Sequence, residues 1–186
     1  MEWTILKNKK LILVEDREFS LKHLEDMVLN LEVESGPKHS ALAFKLMVQF
    51  SSHCVSIGPK KDTPFLFHPD NICKKIVDER GIERKFCENR YQWSLKLPTV
   101  FQTILQRQCF FTGRDNWMTI EVINEDNQCV NYEVFFRVYR ESGKYLRLFV
   151  ESAYVRDAMA QAQNLKHFKK SNKIKGKTLF DSVASS

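Results

Sequence analysis

Between Trp117 and Asp157 apolar and polar residues alternate through three successive segments. Met118, Ile120 and Val122 share one face of the first. Tyr132, Val134, Phe136 and Val138 share one face of the second, and Leu146, Leu148 and Val150 one face of the third. A period of two with β-branched and aromatic enrichment predicts strands. The links Asn124-Glu125-Asp126-Asn127 and Glu141-Ser142-Gly143-Lys144 are short and turn-forming, which predicts an antiparallel meander. The opposite face carries Trp117, Thr119, Phe135, Arg137, Tyr139, Tyr145, Arg147, Phe149 and Glu151. Two readings of that face stay open. It packs beneath other elements, or it is an open platform on which Arg137, Tyr139 and Arg147 meet nucleic-acid bases and phosphates.

The same alternation recurs upstream. Met27–Glu34 and Leu42–Phe50 read as two strands joined by the loop Ser35-Gly36-Pro37-Lys38, with antiparallel pairing. Trp3 to Val14 reads as a strand or hairpin around the basic turn Lys7-Asn8-Lys9-Lys10, and Ser20 to Glu25 as one helical turn. Tyr91 and Leu95 are spaced for a helix over Glu88–Leu95. Pro98 ends that element and opens a second helix to Gln106, with Val100, Phe101, Ile104 and Leu105 inward. Arg156 to Phe168 has helical composition. The expected fold is α+β: a strongly twisted antiparallel sheet, made of the N-terminal strands plus the C-terminal three-stranded meander, with two or three short helices. Residues 1–157 form the domain; 158–186 form a helical extension and lysine-rich tail.

Composition narrows the class. With 186 residues, 43% hydrophobic and 28% charged, the chain can bury a core without staples. The net charge of +6 sits in one place: Lys166, Lys169, Lys170, Lys173, Lys175 and Lys177 account for all of it. The rest of the chain is formally neutral, which favours a covered sheet face and leaves Lys169, Lys170 and Lys173 as nucleic-acid contacts. Cys54, Cys73, Cys87, Cys109 and Cys129 show no framework spacing and read as free thiols in a reducing cytosol. No segment has the length of apolar sequence that a membrane span needs, so a cytoplasmic location is expected. Nothing in the chain speaks to oligomeric state.

No phosphate loop, dinucleotide fingerprint or zincin motif is present. Candidate chemistry therefore rests on scattered polar residues. Arg90 and Ser94 lie one turn apart on the second-half helix, with Tyr91 beside them. Ser152 and Tyr154 share a face at the end of the last strand, followed by Arg156. In the functional reading His53 transfers protons, Arg90 and Arg156 hold phosphate charge, and Tyr91, Ser94, Ser152 and Tyr154 orient the substrate. The structural alternative makes each a packing, capping or surface residue. A metal centre through His53, Cys54 and Cys87 ranks last, and neither metal nor cofactor is expected.

Four stretches carry a resemblance: FSSHCVSIGPK, DERGIERKFCENRYQWSLKLP, CFFTGRDNWMTIEV and YEVFFRVYRESGKYLRLFVESAYVRD. Together, over roughly Met1 to Asp157, they resemble a bacterial family carried on plasmids, integrative elements and prophages. That family is labelled stationary-phase growth adaptation protein and has no established activity. Helices followed by a meander ending in a Ser/Tyr/Arg group are also similar in order to barnase, colicin and RelE-type ribonucleases, a fold-level analogy only. The family resemblance implies an accessory protein of a mobile element; the aromatic and arginine sheet face, the Ser152–Arg156 cluster and the lysine tail give the expectation that it engages RNA, as a ribonuclease-like toxin or effector. The rival reading is a non-enzymatic module that binds a host protein.

Overall fold

The computed structural model describes residues 1–34, 41–59, 65, 74–112, 116–125, 128–143, 145–155 and 173–185. The chain is of the α+β class. Its strands are β1 (Leu11–Val14), β2 (Arg17–Ser20), β3 (Met27–Val33), β4 (Leu42–Phe50), β5 (Ser56–Ile57), β6 (Lys75–Val77), β7 (Glu83–Phe86), β8 (Gln108–Phe111), β9 (Trp117–Glu125), β10 (Gln128–Arg140), β11 (Tyr145–Val155) and β12 (Lys173–Lys175). Its helices are α1 (Trp3–Lys9), α2 (Glu88–Ser94), α3 (Leu97–Gln102) and α4 (Gly176–Ser185).

The main sheet has seven strands in the order β12-β8-β9-β10-β11-β4-β3. The meander β9-β10-β11 and the pair β3-β4 form as the alternation predicts. They are joined by a parallel pairing of β4 with β11, Leu46 beside Leu146 and Phe50 beside Val150. The sheet is therefore mixed, where a wholly antiparallel one is expected from the sequence. Parallel neighbours need a long crossover, and the stretch between β4 and β11 supplies it. Within that crossover β5, β7 and β6 form a small sheet of their own.

One face of the main sheet is the core. Phe44, Leu46, Val48 and Phe50 of β4, Val134 and Phe136 of β10, and Leu146, Leu148 and Val150 of β11 are all buried. Helices α2, α3 and α4 cover it. Phe101 of α3 meets Phe50 and Phe136 at 5.9 and 6.0 Å, Trp93 of α2 stacks on Tyr132 at 5.7 Å, and Phe180 of α4 stacks on Phe44 at 6.0 Å. Pro98 stands in the first turn of α3, where its missing N–H costs nothing.

Two expectations need correction. Trp3 to Lys9 is a helix, and the hairpin follows it as β1 and β2. Trp3 and Leu6 are both buried, a helical spacing, and Lys10 closes the helix in the left-handed region at φ 56°. The phase of β9 is offset by one residue: Thr119 pairs with Val134 and Trp117 with Phe136, both core positions. Directly opposed residues share a face, so Thr119 is buried, its hydroxyl donating to the Gln108 carbonyl at 3.0 Å. Residues 173–185, within the stretch expected as extension and tail, pack against the sheet. β12 pairs with β8, and Leu179 and Phe180 enter the common core.

Candidate functional site

A bulge in β11 sets the site. Phe136 pairs with Val150 and Phe135 with Ser152, which leaves Glu151 without an opposite residue. Val150 and Ala153 both stay buried, so Glu151 and Ser152 together face away from the core. Bulges re-aim side chains in this way and are frequent beside functional sites.

The end of β4 arrives at the same place. After Phe50 the chain makes a short 3-10 turn, Ser52–Cys54, capped by the Ser51 hydroxyl, which accepts from the His53 N–H at 3.2 Å and donates to the Glu151 carbonyl at 2.7 Å. Arg90 of α2 locks the turn from beneath. Its Nη1 donates to the carbonyls of His53 and Ser56, both at 2.9 Å, and its guanidinium lies 4.9 Å from the centre of the Tyr154 ring. Tyr154 in turn stacks on Phe135 at 5.7 Å with the rings 22° from parallel. The outcome is a ladder, Phe135–Tyr154–Arg90, along one side of a cleft of about 400 Å³.

The facing wall comes from the turn between β6 and β7. Asp78 accepts from the backbone N–H groups of Arg80 at 2.9 Å and Ile82 at 2.8 Å through Oδ1, and its Oδ2 stands 3.3 Å from His53 Nε2. Buried Arg84 lies 3.9 Å from the same Oδ2 and donates to the Ser56 hydroxyl at 2.8 Å. Glu79 accepts from the Ser52 N–H at 3.1 Å and from the Ser52 hydroxyl at 3.3 Å. Burial alone would raise the Asp78 carboxyl, but the Ile82, Arg80 and His53 hydrogen bonds outweigh it and hold the group below its ordinary value. Burial pushes His53 the other way from a surface imidazole, downward, helped by Arg84 and opposed by Asp78 and Glu79. His53 is thus a neutral, half-buried imidazole at neutral pH, oriented by a buried carboxylate.

The floor is polar and paired. Arg137 Nε stands 2.7 Å from Glu151 Oε1, and Asn116 Nδ2 donates to Glu151 Oε2 at 2.7 Å. A second depression of about 600 Å³, beside α1 and lined by Trp3, Lys7, Asp26 and Gln49, shares Glu79 and Phe149 with the first. The two adjoin and offer room for an elongated ligand.

Of the residues singled out from the sequence, His53, Ser152, Tyr154 and Arg137 line this cleft, and Arg90 stands behind it against Tyr154 and the His53 carbonyl. Arg90, however, spends its hydrogen bonds on backbone carbonyls and acts as a scaffold. Tyr91 and Ser94 sit elsewhere: the Tyr91 hydroxyl donates to the Ser20 carbonyl at 3.1 Å, and Ser94 Oγ is 2.7 Å from His23 Nε2. Tyr139 and Arg147 lie further along the sheet face, Arg147 stacked over Tyr139 at 4.8 Å and paired with Glu141 at 2.8 Å. Lys173 is on the edge strand β12, over the Phe110 ring. Arg156, Lys169 and Lys170 fall outside the described residues. Cys54 is fully buried, and its thiol is pushed up to about 12, mainly by burial. The sheet face as a whole is neither covered nor fully open: Tyr139 and Tyr145 are exposed, while Phe135, Arg137 and Phe149 line the depressions.

Asp78, Glu79, Glu151 and Asn116 are the residues that sequence reasoning passes over. The one available signal is Asp78-Glu79-Arg80-Gly81, an Asp-to-Gly turn in which Asp78 caps its own loop.

A mixed seven-stranded sheet, with a bulged strand opening onto a cleft lined by His53 and Glu79, defines the kind of α+β protein this is. The chain belongs to the YjaZ family, whose model matches residues 11–184 and so takes in every element of the cleft. No curated protein and no solved structure matches the chain. Among the described residues no helix is long and apolar enough to cross a membrane.

Proposed function

We propose that the cleft engages single-stranded RNA and that its His53–Asp78–Glu79 wall acts on the phosphodiester backbone, in an accessory protein of a bacterial mobile element. The observation that carries this reading is the Phe135–Tyr154–Arg90 ladder lying across the cleft from an oriented imidazole. Aromatic platforms bind unpaired bases irrespective of sequence, each stacked base contributing about 1–3 kcal/mol. Arg80 and Arg137 at the cleft offer guanidinium groups to phosphates. The adjoining depression beside α1, with Lys7 and Lys10 in its lining, extends the path.

Short single-stranded RNA, titrated at several salt concentrations and followed in parallel for cleavage, tests the proposal. Tyr154→Ala is expected to weaken binding about ten-fold. His53→Ala is expected to abolish cleavage and spare binding. Wild-type protein that neither binds nor cleaves RNA at low salt ends the idea.

A second reading, a module that docks on a host protein, rests on a different surface. Tyr139, Arg147, Met47 and Val28 form one row across β10, β11, β4 and β3. Val28 is 59% exposed, Met47 36% and Tyr139 37%. Because β3 is the edge strand among the described residues, that row ends at the edge of the sheet they form. Val28→Lys, which leaves the cleft intact, separates the two readings: it abolishes partner capture under the second and leaves RNA binding unchanged under the first.

A further inference from the structure

We infer that His53, Asp78 and Glu79 form a divalent-cation site of the Zn²⁺ or Mn²⁺ type, open to the cleft. One donor atom from each of the three lies within 4.8 Å of the others. The spacing is that of ligands. Two donors at roughly 2.1 Å from a tetrahedral ion stand about 3.4 Å apart. The His53 Nε2 to Asp78 Oδ2 separation is 3.3 Å, close to that spacing.

The surroundings are those that hold ligands in place. Metal-binding carboxylates are themselves hydrogen-bonded through the outer shell. Asp78 uses Oδ1 for two backbone N–H groups and turns Oδ2 toward His53 and Arg84; Glu79 is fixed by the backbone and hydroxyl of Ser52. The backbone of His53 is tied at its N–H by Ser51 and at its carbonyl by Arg90.

Charge points the same way. Asp78 and Glu79 bring two negative charges against the one guanidinium of Arg84, 3.9 Å from Asp78 Oδ2. Arg84 lowers the affinity but does not reverse the sign. One nitrogen and two oxygen donors suit Zn²⁺ or Mn²⁺ better than the all-oxygen preference of Mg²⁺ and Ca²⁺. Three protein ligands leave coordination positions for water or substrate, the pattern of a catalytic site. The inference deepens the RNA reading. A phosphate entering this wall meets two carboxylates, and a cation between them turns repulsion into a contact and polarises the phosphoryl oxygen. In the loaded state His53 serves as a ligand.

The test needs no RNA. The full chain, stripped with chelator and dialysed, is titrated calorimetrically with Zn²⁺, Mn²⁺ and Mg²⁺ in turn. One equivalent of Zn²⁺ or Mn²⁺ is expected to bind, with Mg²⁺ much weaker. Glu79→Gln, at an exposed position that leaves the thermal melt unchanged, and His53→Ala are each expected to lower affinity ten-fold or more. Cys87→Ser is expected to bind as wild type. The inference is overturned if wild type binds no stoichiometric ion, if Glu79→Gln and His53→Ala bind normally, or if Cys87→Ser is the variant that loses binding. RNA binding measured in chelator is read separately, so either proposal can fall while the other stands.

Discussion

The guanidinium of Arg90 lies 4.9 Å from the centre of the Tyr154 ring while its Nη1 holds the His53 and Ser56 carbonyls, each at 2.9 Å. One side chain thus fixes both the aromatic ladder and the turn that carries the imidazole. Arg90→Ala leaves two carbonyls and a ring without their partner and is expected to cost about 3 kcal/mol in chemical denaturation. Arg90→Lys keeps the charge but not the fork, and should recover less than half of that loss. Full recovery by lysine would mean that charge alone matters here.

Glu151 neutralises Arg137 at 2.7 Å and places a carboxylate in the cleft. Glu151→Gln keeps the Asn116 contact partly intact and frees the guanidinium. Under the RNA proposal, affinity for a short single strand rises several-fold. The slope of log K against log salt steepens by roughly 0.7, the increment for one more phosphate contact on a single strand. A fall in affinity would count directly against phosphate binding at Arg137.

Acid should loosen the chain near α2. The His23 imidazole is lowered to about 4, principally by burial, with a backbone hydrogen bond to Ser20 opposing. The unfolded chain, with an ordinary imidazole value near 6.5, binds the proton that the folded chain refuses. The stability is therefore complete above about pH 6.5 and is lost as pH falls toward 4, by roughly 2–3 kcal/mol. His53, also lowered, acts in the same direction. His23→Gln should flatten the pH dependence of the denaturation midpoint over that window; an unchanged slope would remove His23 as its source.

Much of the fold is legible in alternation because each alternating residue is decided by one sheet. Phe44, Leu46, Val48 and Phe50 all face the core, as do Leu146, Leu148 and Val150. What local pattern does not hold is partnership across distance. Nothing near Leu46 announces Leu146 as its neighbour, and the offset of Thr119 appears only once its pairing with Val134 is known. Lys7 to Lys10 look like a turn because lysines are polar, yet the Trp3 and Leu6 spacing is the stronger signal. The cleft is the least legible part. His53 stands out as a titratable group, whereas Asp78 and Glu79 look like a solvated turn until the fold brings that turn against Ser52.

Gly176 is the point where the C-terminal segment meets the rest. A Cβ there would sit 1.9 Å from the Ile104 carbonyl oxygen, and its N–H donates to the Arg107 carbonyl at 2.8 Å. Backbone cannot yield as a side chain can. Gly176→Ala is expected to cost about 3 kcal/mol. It should also raise protease sensitivity in residues 173–185. A melt within a degree of wild type would show that the segment is dispensable.

The parallel pairing of β4 with β11 joins Leu46 to Leu146, one hundred residues away. On the ribosome, β4 and β3 are made long before the strand that completes them. One hydrogen-bonding edge of β4, backed by Phe44, Leu46 and Val48, stays open until β11 emerges. Such high contact order slows folding, and the waiting edge is a template for pairing with another chain. A pause in translation within the intervening segment would prolong the exposure of that edge and is expected to favour aggregation.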